Sequence, residues 1–155
     1  MIALHIGEIM RRLSACKHLP FVGYDWGQLD QDQPAVKWPC ALVRMTEVEY
    51  SDGSLPVQQA EGTVQVTVAW VRPSKQSGSQ GAYIGTTLLD VVHTLLSCDW
   101  HPKDAGYMRR VRMWRGDDTD SGIERWTIEY KVGWKEVTDG REHEVTDWEV
   151  DVVVE

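Results

Sequence analysis

Hydrophobic residues recur along the chain with two different periods, and the change of period separates helices from strands. Near the amino terminus they return at helical spacing, at Ile2, Ile6, Ile9, Met10, Leu13 and Cys16. This pattern predicts a one-sided helix that ends before Pro20. A second stripe at about 82–97 consists of Ile84, Leu88, Val91, Val92, Leu95 and Leu96. Each helix is therefore expected to cover other elements with one face only.

Elsewhere hydrophobic and polar residues alternate with a period of two, which is typical of half-buried strands. We expect strands at 40–50, 63–71, 108–115 and 123–134. Residues 21–39 are expected to form a loop that packs through its aromatic residues and can include a short strand at 21–24. Residues 40–43 are apolar on both faces, so this end of its strand should be buried on both sides. Polar residues 51–62 read as a long, mobile hairpin tip, and 74–81 as a flexible connector.

The order of these elements predicts an α+β fold, a single antiparallel or mixed β-sheet with two amphipathic helices packed on one face. The length of 155 residues is that of one domain, which we place at 1–155. Residues 136–155 are expected to add a C-terminal strand, because one face of it would carry Trp148, Val150, Val152 and Val154.

Composition narrows the classes of function. A formal net charge of −8 argues against sequence-reading of nucleic acid, which requires a basic face. Three widely spaced cysteines fit a reducing compartment, and the chain has neither a signal-peptide pattern nor an apolar run of the roughly 20 residues that span a bilayer. We therefore expect a cytoplasmic protein without membrane contact. Eight tryptophans suit cores that reach the surface and protein interfaces.

Residues that could carry chemistry are scattered. Gly78–Gly85 lacks the lysine and spacing of a phosphate loop, the acidic turn Asp117–Gly122 does not match a calcium loop, and Cys98–His101 is one pair where structural zinc usually needs two. We expect no catalytic residue, no cofactor and no metal, hence no enzyme. The alternative is a small enzyme or ligand-binding domain whose site is built from residues distant in sequence, with first suspects His93, Cys98, His101 and Asp117–Asp120.

Four arginines on one strand, Arg109, Arg110, Arg112 and Arg115, stand out in an acidic chain. Simple alternation places Arg110 and Arg112 on the same face as Trp114, and arginine and tryptophan are typical anchors of protein interfaces. One interpretation is a basic patch that meets an acidic partner, for instance another copy of the chain. The other is cross-strand pairing with Glu124 or Glu129 on the neighbouring strand.

This layout resembles the tail-terminator or tail-completion proteins of long-tailed bacteriophages and their prophages. The features that carry the resemblance are the first helix over 2–19, the aromatic and proline loop before the strand that starts Pro39-Cys-Ala-Leu-Val, the strand Thr63–Val71, the glycine-preceded helix Ala82–Ser97, and Arg-rich and Trp-rich strands flanking an acidic turn. It covers about residues 1–135.

The resemblance implies a structural subunit of a ring, commonly a hexamer, that caps the tail tube and joins it to the head connector. Its partners would be copies of itself, the tail-tube protein and the head-connector protein, and its final location the virion tail. The contact residues we expect are Arg110, Arg112 and Trp114, with Asp52, Leu55 and Val57 at the hairpin tip. A head–tail connector or an adaptor of a contractile secretion apparatus is the alternative assembly role.

Overall fold

The computed structural model describes residues 2–53, 56–72, 78–97, 105–116 and 122–137. It confirms the predicted fold class, one mixed five-stranded sheet with two helices on one face. The elements are α1 (Ile2–Ser14), β1 (Phe21–Tyr24), a 3-10 turn (Gln28–Asp30), β2 (Cys40–Asp52), β3 (Val57–Val71), α2 (Gly78–Ser97), β4 (Ala105–Arg115) and β5 (Ile123–Val137).

The strand order is β1-β2-β3-β5-β4, and every neighbouring pair is antiparallel except β1 with β2, which is parallel. Strand β4 therefore forms one edge. At the other edge the short β1 pairs only with Cys40–Val43 of β2. Among the described strands, the remaining stretch Arg44–Asp52 of β2 has no neighbour on its outer side.

The main core lies between the helices and one face of the sheet. The apolar stripes of the helices are buried there against alternate residues of β3 and β5, as the periodicity predicts, except that Ile2 at the start of the first stripe is 43% exposed. Its fully or nearly fully buried members include Ile9, Leu13, Leu88, Val92, Leu96, Val64, Val66, Val68, Ile128, Tyr130 and Val132. Removal of this apolar surface from water is the main stabilising contribution to the fold.

A second, smaller core lies on the opposite face, at the β1 end of the sheet. Leu42 and its buried neighbours Cys40 and Ala69 pack there under residues of the 21–39 loop, among them Leu29 and Trp38. This arrangement confirms that residues 40–43 are buried on both sides. We call this side of the sheet the open face, because no helix among the described residues covers it and the small core occupies only one end.

Two helix boundaries differ from the sequence prediction. Helix α1 ends at Ser14, and Cys16 is buried in the turn that follows, where its amide donates to the carbonyl of Leu13 over 3.0 Å. Helix α2 begins at Gly78, four residues before the predicted start. Glycine and serine lower helix propensity but do not forbid a helix, so tertiary context overrides them here.

The predicted antiparallel hairpin is confirmed, but the prediction that its tip spans 51–62 is wrong, because β2 ends at Asp52 and β3 begins at Val57. The β2–β3 ladder continues to the pair Asp52–Gln58, and Val57 at the start of β3 pairs with Val137 of β5. The polar, glycine-containing start of β3 is held as a strand because both β2 and β5 form backbone hydrogen bonds with it. The side chains of Trp134 and Met45 pack over Gly62. Leu55, the acidic turn 117–121 and the predicted C-terminal strand beyond Val137 lie outside the described residues.

The aromatic loop is only partly packed. Phe21 and Trp38 contribute to the small core, but Tyr24 and Trp26 are 52% and 62% exposed. The prediction that the loop packs down through its aromatic residues is therefore wrong for these two. Among the described residues, neither helix combines the length and apolar character that a membrane span requires.

Candidate protein-binding surface

A row of polar side chains crosses the open face of the sheet from β2 to β4. Arg44 donates from Nε and Nη2 to Gln65 Oε1 over 3.2 and 3.0 Å, and Gln65 Nε2 donates to Glu129 Oε1 over 3.3 Å. Arg112 closes the row by donating from Nε and Nη2 to the two oxygens of Glu129 over 2.7 and 3.3 Å. We call Arg44, Gln65, Glu129 and Arg112 the open-face row.

Arg112 is a positioned cation that still reaches solvent. Its side chain is 66% exposed, whereas that of Glu129 is 10% exposed. The hydrogen bond from Arg112 holds the pKa of Glu129 below its usual value, although burial acts the other way. The guanidinium carbon also lies 4.6 Å from the ring centre of Trp114, within range of a cation–π contact. The ion pair of Arg112 with Glu129 matches the interpretation of cross-strand pairing. Because the guanidinium is exposed, it is also accessible to an acidic partner, as the other interpretation requires.

Arg110 does not share a face with Arg112 and Trp114, so that part of the prediction is wrong. The register of β4 on β5 shifts between Arg110 and Arg112, because Val111 is an extra residue in a β-bulge. Arg110 therefore pairs with Tyr130 on the helix side, where its charge helps to lower the pKa of His93. Simple alternation cannot reveal a bulge, since one extra residue moves every following side chain to the other face.

The two free edges carry opposite charges that the described residues do not neutralise. On β4, Arg109 lies on the open face and makes no ion pair or side-chain hydrogen bond with a described residue. On the outer half of β2, Glu47 and Glu49 lie on the same face, are exposed, and likewise have no such partner. Sequence reasoning singled out the arginines but missed these glutamates, although their alternation in Thr46-Glu-Val-Glu-Tyr50 was visible.

The hairpin end of the sheet forms a depression of about 590 Å³ between β2 and β5, lined in part by Tyr50, Glu61, Tyr107 and Lys135. Tyr107 lies over Gly133 and donates a hydrogen bond to Glu61, which raises the pKa of the tyrosine. The predicted contact residues Asp52 and Val57 lie in strands beyond this depression, and Asp52 is exposed. Each thus lies in a paired strand and not in a loop, Asp52 opposite Gln58 and Val57 opposite Val137.

The opposite end of the open face is held by a long-range ion pair. Arg125 Nη1 of β5 lies 2.9 Å from Asp30 Oδ1 in the 3-10 turn, at the edge of a second depression of about 320 Å³ that Arg44 and Trp114 also line. Exposed Trp26 precedes this turn, and its amide donates to the side chain of buried Gln28 over 2.9 Å. The side chain of Trp26 is therefore exposed to solvent, while hydrogen bonds and the Arg125–Asp30 ion pair hold the backbone around it in place.

Of the first suspects for an enzyme, only His93 lies among the described residues. His93 is 3.1 Å from the hydroxyl of Tyr130, and Cys40 is fully buried, which raises its pKa to about 12. Within the described ranges, no group of three or more His, Cys, Asp or Glu side chains could hold a metal ion. Cys98, His101 and Asp117–Asp120 lie outside those ranges.

Acid should destabilise the fold through His93. Burial and then the charge of Arg110 lower the pKa of His93 from 6.5, so the unfolded chain binds a proton more readily than the folded one. The free energy of unfolding should therefore be highest above pH 6.5 and fall as the pH drops below it. We expect His93→Gln to remove part of this fall in denaturant titrations across the pH range. Exposed His18 offers the control, and a slope as steep in His93→Gln as in His18→Gln would contradict the assignment.

Comparison with known proteins adds a structural likeness. No protein-family model matches the chain, and no curated protein sequence matches it. Among solved structures, it is similar to a chain from the virion of a native gene transfer agent particle. The TM-score is 0.54 at 11% sequence identity, and the match covers 84% of this chain and 94% of that chain. At this sequence identity, the likeness shows only that the two chains share a fold over most of their length.

Proposed function

We propose that this chain is a structural subunit of a phage-like tail, a tail-terminator-like protein that assembles into a ring, caps the tail tube and joins it to the head connector. It acts by binding protein surfaces and is not an enzyme. The observation that carries the proposal is the likeness to a chain of a gene transfer agent virion over 84% of this chain. The resemblance of the element order to tail-terminator proteins points the same way.

The surface chemistry supports a role in assembly. A described sheet with two free edges and an uncovered face offers backbone and side-chain groups to other protein molecules. Arg112 and Trp114, side by side on that face, belong to the residue types that anchor interfaces. Opposite charges on the two edges suit heterologous contacts between copies, which close into rings when the rotation between copies allows it.

Tube capping is the direct test of the function. The tail-tube protein encoded in the same genome would be polymerised with and without this chain, and the lengths and ends of the tubes measured by negative-stain electron microscopy. We expect shorter tubes with added density at one end. Tubes of unchanged length with bare ends would contradict the terminator role, and binding only to the head-connector protein of that genome would assign the chain to the connector instead.

A further inference from the structure

Among the described strands, β4 and the outer half of β2 (Arg44–Asp52) each have an unpaired edge, and these two edges can pair with each other in one ladder. In the sheet, β2 and β5 run in one direction while β3 and β4 run in the other. When a second copy is placed beside the first with the same face upward, β4 of one copy therefore lies antiparallel to β2 of the other. Antiparallel pairing satisfies the backbone groups of both edges.

We infer that β4 of one copy pairs with Arg44–Asp52 of a second copy, so that the sheet continues from subunit to subunit. This inference rests on the proposed assembly function and names its partner, another molecule of the same chain. The contact is heterologous, since each copy uses β4 on one side and β2 on the other, and a repeated contact of this kind generates a ring or a filament.

Charge selects the register of the ladder. On the open face β4 offers Arg109 and Arg112, and β2 offers Glu47 and Glu49. Antiparallel pairing sets Arg109 opposite Glu49 of the second copy and Arg112 opposite Glu47 of the second copy. Arg112 Nη1 makes no hydrogen bond with a described residue, because Glu129 accepts only from Nε and Nη2. The second glutamate can therefore bind Arg112 without displacing the first.

The bulges fit the same register. Each edge carries one extra residue, Val111 between Arg110 and Arg112 on β4 and Thr46 between Met45 and Glu47 on β2. With the charges paired as above, each strand has one unpaired residue within the ladder. The two extra residues offset each other, so the residues before and after the bulges pair in the same register.

The helix side of this ladder is mainly apolar, and Arg110 of β4 faces Val48 of the second copy there. Met108 then faces Tyr50 of the second copy, and Met113 faces Met45 of the second copy. Tyr50 and Met113 are 49% and 41% exposed in the isolated subunit, so pairing would remove apolar surface from water. On the open face Trp114 reaches Arg44 of the second copy. The free stretch of β2 begins at Arg44 because β1 covers Cys40–Val43, and this ladder begins at the same residue.

Charge reversal tests the pairing without relying on a single variant. Arg109→Glu and Glu49→Arg each place like charges opposite one another, and we expect each to weaken self-association at least about tenfold, since like-charge juxtaposition at an interface is strongly unfavourable. Both residues are exposed, so each variant should unfold at the wild-type denaturant concentration when the proteins are compared at a concentration where the wild type is a monomer. Lys17→Glu, with its residue exposed in the turn after α1 and outside the sheet, is the matched reversal that should leave association within about threefold.

Mixing the two variants separates the proposed edge contact from other effects of charge. In Arg109→Glu, positions 109 and 49 are both acidic, and in Glu49→Arg both are basic. Each contact between the two different variants therefore again sets an acidic residue opposite a basic one. An equimolar mixture should regain the wild-type mass in sedimentation velocity, although neither variant alone does. A mixture that stays dissociated, or single reversals that associate as the wild type does, would overturn the pairing.

A disulfide test fixes the register. With Arg109 opposite Glu49, Tyr107 of one copy faces Ser51 of the next, so Tyr107→Cys/Ser51→Cys should form covalent multimers on non-reducing gels. Met108→Cys/Val48→Cys is shifted by two residues from the facing pair Met108–Tyr50, leaves Arg109 and Glu49 in place and should link poorly. The single cysteine variants report background linkage. Efficient linkage of the shifted pair alone would overturn the register.

These outcomes are separable from those of the tube assay. If Arg109→Glu and Glu49→Arg associate normally while the wild type caps tubes, the edge pairing is wrong and the function stands. If the ladder forms but tubes remain uncapped, the pairing stands and the terminator role is wrong.

Discussion

Replacing Gly85 with alanine should destabilise the protein even though alanine is the better helix former. Helix α2 lies so close to the side chain of Trp70 on β3 that a Cβ on Gly85 would lie 2.3 Å from its Cε2 and Cζ2 atoms, and this side chain is buried. Over-packing of this kind typically costs about 1–3 kcal/mol, despite a gain of about 1 kcal/mol in helix propensity. Denaturant unfolding with linear extrapolation measures the change.

Gly7 provides the matched control for Gly85. It lies on the exposed side of α1, and a Cβ there would meet no atom within 4 Å. Gly7→Ala should therefore stabilise the protein by about 0.5–1 kcal/mol. Opposite signs for the two substitutions are the expected result. A Gly85→Ala protein as stable as Gly7→Ala would show that α2 does not approach Trp70 as described.

Leu42→Ala should cost about 2–5 kcal/mol, because it opens a cavity in the small core beneath the 21–39 loop. Leu42 is fully buried, although it lies on the face of the sheet that carries no helix among the described residues. Thermal and denaturant unfolding measure the loss.

Arg44 is the control on the same face and the same strand, two residues further along. Its side chain is exposed and bonds only to Gln65 among the described residues, so Arg44→Ala should cost less than about 1 kcal/mol. Both variants should be compared at a protein concentration where they have the same mass. Equal losses would contradict the division of this face into a covered end and an open end.

The helical stripes and the alternation of β3 could be predicted from sequence because burial on one face imposes a period on the residues. Val64, Val66 and Val68 are all fully buried, and residues 40–43, apolar on both faces, are buried on both sides. These positions depend on local periodicity alone, which the sequence displays directly.

Other features depend on contacts distant in sequence, and periodicity could not reveal them. The face of Arg110 is set by a bulge at Val111. The mostly polar segment 58–62 forms a strand because β2 and β5 bond to it on both sides. Which edges remain free follows from the order of the strands. The arginines of the candidate surface were therefore visible in the sequence, whereas their pairing with Glu47 and Glu49 of another copy was not.

The mass of the purified full-length chain, measured by multi-angle light scattering over a range of concentrations, tests most directly whether copies associate. We expect a closed oligomer at an integral multiple of 17.7 kDa, the sixfold multiple for the hexamer that the resemblance implies, and loss of that species in Arg109→Glu. A wild-type chain that stays at 17.7 kDa at every concentration would contradict association through the sheet edges.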